Sequence, residues 1–76
     1  MSKIVATEWR SSGAQAIGIV LCLDGITKKY KAYIGVAQGL DEKTDSQGIK
    51  DWGTKLSFKE AKAFFSFPEF TEEEYD

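Results

Sequence analysis

Three lysines, Lys28, Lys29 and Lys31, interleave with two tyrosines, Tyr30 and Tyr33, and Trp9-Arg10 sets a further ring beside a further charge. Cations next to flat aromatics are what a nucleotide or a single-stranded nucleic acid needs, charge for the phosphate and a π face for the base. Trp9, Arg10, Lys29, Lys31 and Tyr33 are therefore the candidate binding residues for such a ligand. The pattern is loose. Lysines on an exposed hairpin are usually solvated and keep sheet edges from pairing, strand alternation turns Tyr30 toward the core, and the basic footprint is small for a committed nucleic-acid binder.

Catalytic equipment is sparse. The chain contains no histidine, which removes the commonest general base and the commonest metal ligand. Cys22 is the one thiol, and a strand position on an apolar face predicts a small buried hydrophobe with a raised pKa. No serine sits in a nucleophile elbow, and Ser57 reads as a helix cap. Carboxylates alone can hydrolyse glycosides, but a chain this short leaves no room for a deep cleft. Asp41, Glu42 and Asp45 form a compact acidic cluster, yet a calcium loop would want an oxygen ligand where Lys43 stands and a glycine earlier than Gly48. An acidic helix N-terminus explains the cluster. No glycine belongs to a dinucleotide-binding or phosphate-loop motif. The expectation is a protein that is not an enzyme, with no catalytic residue, cofactor or metal assigned.

The elements that would position these residues start from a hairpin over Ala14–Ala37. On its first arm Ile17, Ile19, Leu21 and Leu23 occupy one face, while Ala16, Gly18, Val20 and Cys22 occupy the other. With an even loop around Asp24-Gly25, the aliphatic face is joined by Tyr30, Ala32, Ile34 and Val36, and Tyr33 falls beside Gly18 on the thin face. A slip of one residue would scatter the aliphatics over both faces. Lys3–Arg10 reads as a strand alternating Val5, Thr7 and Trp9 against Ile4, Ala6 and Glu8. Leu40–Gly53 is weakly helical, with Thr44 and Gln47 as a capping box, and Gly48 inside it costs about 1 kcal/mol relative to alanine. The last helix is clearer: Ser57 and Glu60 form a capping box, Leu56 and Ala61 a hydrophobic staple, and Phe58, Ala61 and Phe65 one apolar face that Pro68 ends.

These 76 residues suit one small domain, which buries roughly 60% of its unfolded surface and often gains stability by oligomerising. With 42% hydrophobic and 29% charged residues the composition is that of a globular domain. The longest apolar run, Ile17–Leu23, is too short to span a bilayer. The N-terminus lacks the apolar region of a signal peptide, and a single cysteine fits a reducing cytoplasm. Glu69, Glu72, Glu73, Glu74 and Asp76 leave residues 69–76 without a base, whereas all ten lysines and arginines lie before them. The division expected is a domain over 1–70 and an acidic tail over 71–76, with Phe67 and Phe70 packing while the tail stays mobile and shields the hairpin lysines.

The fold class predicted is α+β: a three-stranded antiparallel β-meander covered on its aliphatic face by one or two short C-terminal helices. The thin face is then left open, so Ala16, Gly18, Val20 and Cys22 become candidate interface residues of a homodimer. The leading functional expectation is a non-enzymatic interaction or regulatory protein acting as a homo-oligomer, of the kind that phages and mobile elements encode. Its partners would be a second copy and a protein, with no membrane; nucleotide or single-stranded nucleic-acid binding is the alternative. Core candidates are Ile17, Ile19, Leu21, Leu23, Ile34, Val36, Trp52, Leu56, Phe58, Ala61 and Phe65. Phe65→Ala and Ile19→Ala are each expected to cost about 2–5 kcal/mol, most of the stability of so small a domain; thermal melting within a few degrees of the parent would refute that core.

Overall fold

A two-residue turn with Gly13 at φ +63° joins β1 (Ser2–Ser12) to β2 (Gln15–Asp24), and a longer loop joins β2 to β3 (Tyr30–Val36). The structure, a computed structural model, describes residues 2–76. In the second loop the Asp24 carboxylate accepts from the backbone N–H groups of Ile26 and Thr27 at 2.8 and 3.0 Å, an Asx-type turn that makes aspartate useful there. The register follows the aliphatic pattern: Ile17 faces Val36, Ile19 faces Ile34, Leu21 faces Ala32 and Leu23 faces Tyr30.

Helix α1 (Glu42–Trp52), a short β4 (Thr54–Lys55) and helix α2 (Phe58–Phe64) complete an α+β fold whose antiparallel sheet runs β1-β2-β3-β4. The sheet thus has a fourth strand beyond the three expected. β1 does not alternate strictly either. A bulge at Val5 shifts its register between Ile4, which faces Cys22, and Ala6, which faces Leu21. Ile4 and Trp9 therefore share one face while Val5 and Ala6 share the other, a change of phase that a bulge produces.

The helices lie on opposite faces of the sheet, not together. On the aliphatic face Ile19, Leu21 and Ala32 pack with Leu56, Ala61, Phe65 and Phe70. α2 starts as expected, with Ser57 N–H donating to the Glu60 carboxylate at 2.9 Å and Glu60 N–H to Ser57 Oγ at 3.2 Å. On the thin face α1 seats Ile49 against Val20 and Cys22. Gly18 and Gly35, paired across β2 and β3, make this possible. A methyl group on Gly18 would collide with the Trp9 ring and stand 2.5 Å from Ile49 Cδ1, and one on Gly35 would stand 3.2 Å from Ile49 Cγ1. Asp41, not Thr44, caps α1, accepting from Thr44 N–H at 2.9 Å and from its hydroxyl at 2.8 Å. The inward stripe of α1 is Asp45, Ser46 and Ile49, and Gly53, four residues after Ile49, continues it. Trp52 is rotated away and stands 89% exposed, and Val36 is 44% exposed, so neither belongs to the core as expected.

Residues 71–76 run back along β3. Phe70 is buried and stacks on Tyr30 with centroids 4.9 Å apart, and Tyr75 stacks on Phe70 at 5.8 Å. The packing partner of Phe70 is thus Tyr75, whereas Phe67 is 81% exposed. Ala32 N–H donates to the Tyr75 hydroxyl at 2.9 Å, that hydroxyl donates to Leu56 O, and Asp76 N–H donates to Tyr30 O at 2.8 Å. The division expected between 70 and 71 falls inside this aromatic cluster. No helix among the described residues is long and apolar enough to cross a membrane.

Tyr75→Phe is expected to cost about 1–3 kcal/mol in chemical denaturation, because it strands the Ala32 amide and the Leu56 carbonyl at a part-buried edge. Burial raises the Tyr75 phenol above its ordinary 10.0. Its contribution is therefore complete below that pH and lost as pH rises through the raised value. An unchanged denaturation midpoint in the variant would show that the hydroxyl does not hold the tail.

Candidate functional site

The residues expected to bind an anion are dispersed. Trp9 lies over Gly18 on the α1 face, and its indole N–H donates to Glu42 Oε2 at 2.9 Å. Arg10 projects to the opposite face, 5.7 Å above the Phe64 ring and 2.7 Å from Glu8. Lys31 and Tyr33 share the α1 face of β3, Lys31 Nζ 3.4 Å from an Asp76 carboxylate oxygen and Tyr33 packed against the Val20–Cys22–Ile49 cluster. Lys29 sits exposed in the β2–β3 loop. Two of the five come together; Trp9 is on the same face but in β1, and Arg10 faces away.

The residues expected at a dimer interface are covered by the chain itself. Val20 and Cys22 are buried beneath Ile49, Gly18 lies under Trp9 and Ile49, and Ala16 alone is exposed. The thin face is a seat for α1, so it offers no open surface to a second copy. Burial pushes the Cys22 thiol above its ordinary 9.0, the direction opposite to that of a nucleophile. The acidic cluster also has structural work: Asp41 caps α1, Glu42 accepts from Trp9, and Asp45 accepts from Gln38 N–H at 3.1 Å. Hydrogen bonds from Thr44 hold the Asp41 carboxyl below its ordinary 3.8.

A different surface has the marks of a site. Where α1 diverges from the end of β3, a groove of about 480 Å³ opens between Gly35 and Val36 on one side and Gly48, Ile49 and Trp52 on the other. Leu40 also lines it and is 60% exposed. Three large apolar side chains, Val36, Leu40 and Trp52, thus rim one depression, whereas the exposed Ile26 and Phe67 lie outside it. Single exposed hydrophobics are ordinary, but clusters of them mark binding surfaces.

Gly48 distinguishes this groove from a packing fault. A Cβ built on Gly48 meets nothing within 4 Å. No steric demand of the fold requires glycine there, although it weakens the helix. Gly53 differs, since its Cβ would stand 2.5 Å from Ile49 O and 2.8 Å from Ile34 O. Hydrophobic spacing did not mark this surface: Ile49 and Trp52, three apart, are equally placed as anchors, and the close backbone contact of Gly53 is what turns Trp52 outward.

No protein-family model matches this chain, no curated protein matches it, and no solved structure matches it.

Gly48→Ala is expected to stabilise the protein by about 1 kcal/mol, since the added methyl group enters open space. Trp52→Ala is expected to shift stability by no more than about 0.5 kcal/mol, as for an exposed surface position. Both are measured by denaturant titration. A destabilised Gly48→Ala would show that the fold needs this glycine, and a large loss in Trp52→Ala would return the ring to the core.

Proposed function

We propose that this is a small, non-enzymatic interaction protein that takes a large apolar side chain of a protein partner into the groove between α1 and the end of β3. The observation that carries the reading is Trp52, 89% exposed beside a groove that Gly48 leaves unfilled. Tryptophan is enriched among the residues that dominate binding energy, and such residues cluster around pockets that a partner can desolvate. Val36 and Leu40 would extend the apolar contact, and Gln38 and Thr44 supply polar groups at its border. The regulatory role is that of a binder whose effect lies in what it occupies. Self-association, the other part of this reading, would use a surface other than the α1 seat.

A random peptide library displayed against the full chain tests the groove. Enriched peptides are expected to share an aromatic or aliphatic anchor and to lose at least about tenfold in affinity with Trp52→Ala, the scale of a truncated hot spot. Gly48→Leu should do the same by filling the groove, while Lys59→Ala on α2 should not. A library without enrichment, or peptides indifferent to both groove substitutions, would reject the proposal.

A further inference from the structure

β1 is the outer strand on the side of the sheet away from β4. Among the described residues its only backbone ladder is with β2. The phase of that ladder follows from β3. Ala37 N–H donates to Ala16 O at 2.8 Å, so Ala16 turns toward β3 while Gln15 and Ile17 turn toward Ser12 and Arg10 of β1. Antiparallel alternation then points the backbone groups of Thr7, Trp9 and Ser11 outward. The Trp9 carbonyl accordingly accepts from Arg10 Nη1 at 3.3 Å, not from a strand.

We infer that two copies of the protein pair antiparallel through this edge, about a two-fold axis at Trp9, to make one continuous sheet. Two separate features select that axis. The bulge at Val5 limits the regular part of β1 to Ala6–Ser12, and Trp9 is its midpoint. An axis there also sets Glu8 opposite Arg10 of the partner subunit, at the position between hydrogen-bonded pairs where side chains approach most closely. The same operation brings Thr7 to Ser11 of the partner subunit. An axis at Glu8 or at Arg10 would oppose like charges, and one at Thr7 would run the pairing across the bulge. In the single chain Glu8 and Arg10 meet each other at 2.7 Å, so pairing exchanges the two exposed local ion pairs, one in each copy, for two across the axis. Lys3, Glu8 and Arg10 also guard the edge against unspecific pairing, which makes the contact selective for this register. It is distinct from the groove beside Trp52.

Sedimentation equilibrium of the full chain from about 10 µM to about 1 mM, the range that so small a contact calls for, tests it. A monomer–dimer equilibrium is expected. Glu8→Arg and Arg10→Glu should each weaken it about tenfold by opposing like charges twice, and the double variant E8R/R10E should restore it. Ser11→Pro removes an outward N–H without touching the β2 ladder, so it should abolish the dimer while circular dichroism and melting stay those of the parent. Trp52→Ala should leave dimerisation unchanged. A monomer throughout, a dimer that survives Ser11→Pro, indifference to the charge exchanges, or dissociation by Trp52→Ala would each overturn the inference.

Discussion

The fold depends on how closely α1 can approach the sheet, and Gly18 and Gly35 set that distance. They face each other across β2 and β3, and the space their missing side chains leave is filled by Ile49 and the Trp9 ring. Interiors pack as densely as organic crystals, so such a knob and its seat must match within fractions of an ångström. Gly53 serves the same approach at the helix's end, where the backbones of α1 and β3 converge. With α1 seated, the sheet carries a core on each face, one around Ile49 and one around Phe65. A chain of this size cannot build one thick core. Placing a helix on each side of a sheet lets β2 bury Ile19, Val20, Leu21 and Cys22 in succession.

The two edges of that sheet are treated differently. Beyond β3 the chain closes the edge with β4, the Leu56 amide and the returning C-terminal residues, and lysines cover the rings that hold them. Lys55 Nζ lies 4.9 Å from the Tyr75 centroid and Lys62 Nζ 4.5 Å from that of Phe70. Charge pairing is a minor part of this closure. Lys31 and Asp76 meet at 3.4 Å with both side chains about half exposed, and exposed pairs contribute about 0–1 kcal/mol. Stacked rings, a hydrogen bond from the Ala32 amide to the Tyr75 hydroxyl and one from that hydroxyl to Leu56 O hold the segment. Of the acids between them Glu74 caps a single turn, accepting from Thr71 N–H at 2.8 Å. Among the described residues the opposite edge, β1, has a bulge and three charged side chains to protect it.

Local patterns with one solution were legible in the sequence. The β2–β3 register was readable because only one phase keeps Ile17, Ile19 and Leu21 with Ala32 and Ile34. The start of α2 was readable because Ser57 and Glu60 satisfy each other's backbone. The bulge at Val5 was not, since Lys3–Arg10 alternates acceptably either way and its phase is fixed only by β2 and the two cores. Gly18 did signal close approach, but a strand glycine does not say whose atoms arrive; the β2–β3 register offered Tyr33, and Trp9 and Ile49 are the actual neighbours. The face chosen by α1 was hidden for the same reason. With two anchors three residues apart, the sequence offered Ile49 and Trp52 equally, and Gly53 decided between them through a backbone contact that no hydrophobic pattern records. Charge segregation was visible but misled about the tail, because Phe70 and Tyr75 outweigh the acids around them.

The candidate site was therefore the least legible part, and its glycines show why. Sequences that fold well agree with their structure at every level, and departures from that agreement concentrate where function imposes them. Gly18 and Gly35 depart from strand preference and Gly53 ends α1, and each has atoms of the fold within contact distance of the missing Cβ. Gly13 and Gly39 adopt positive φ, which glycine tolerates best. Gly48 has neither reason: it weakens a helix, and its Cβ position is empty. Trp52, one turn away on the same helix, departs in the other sense, as a large ring left in water. Either departure alone would be unremarkable on a protein surface. Their meeting on one groove, with Val36 and Leu40 at its border, puts an unfilled space and an unburied ring within reach of a single incoming side chain.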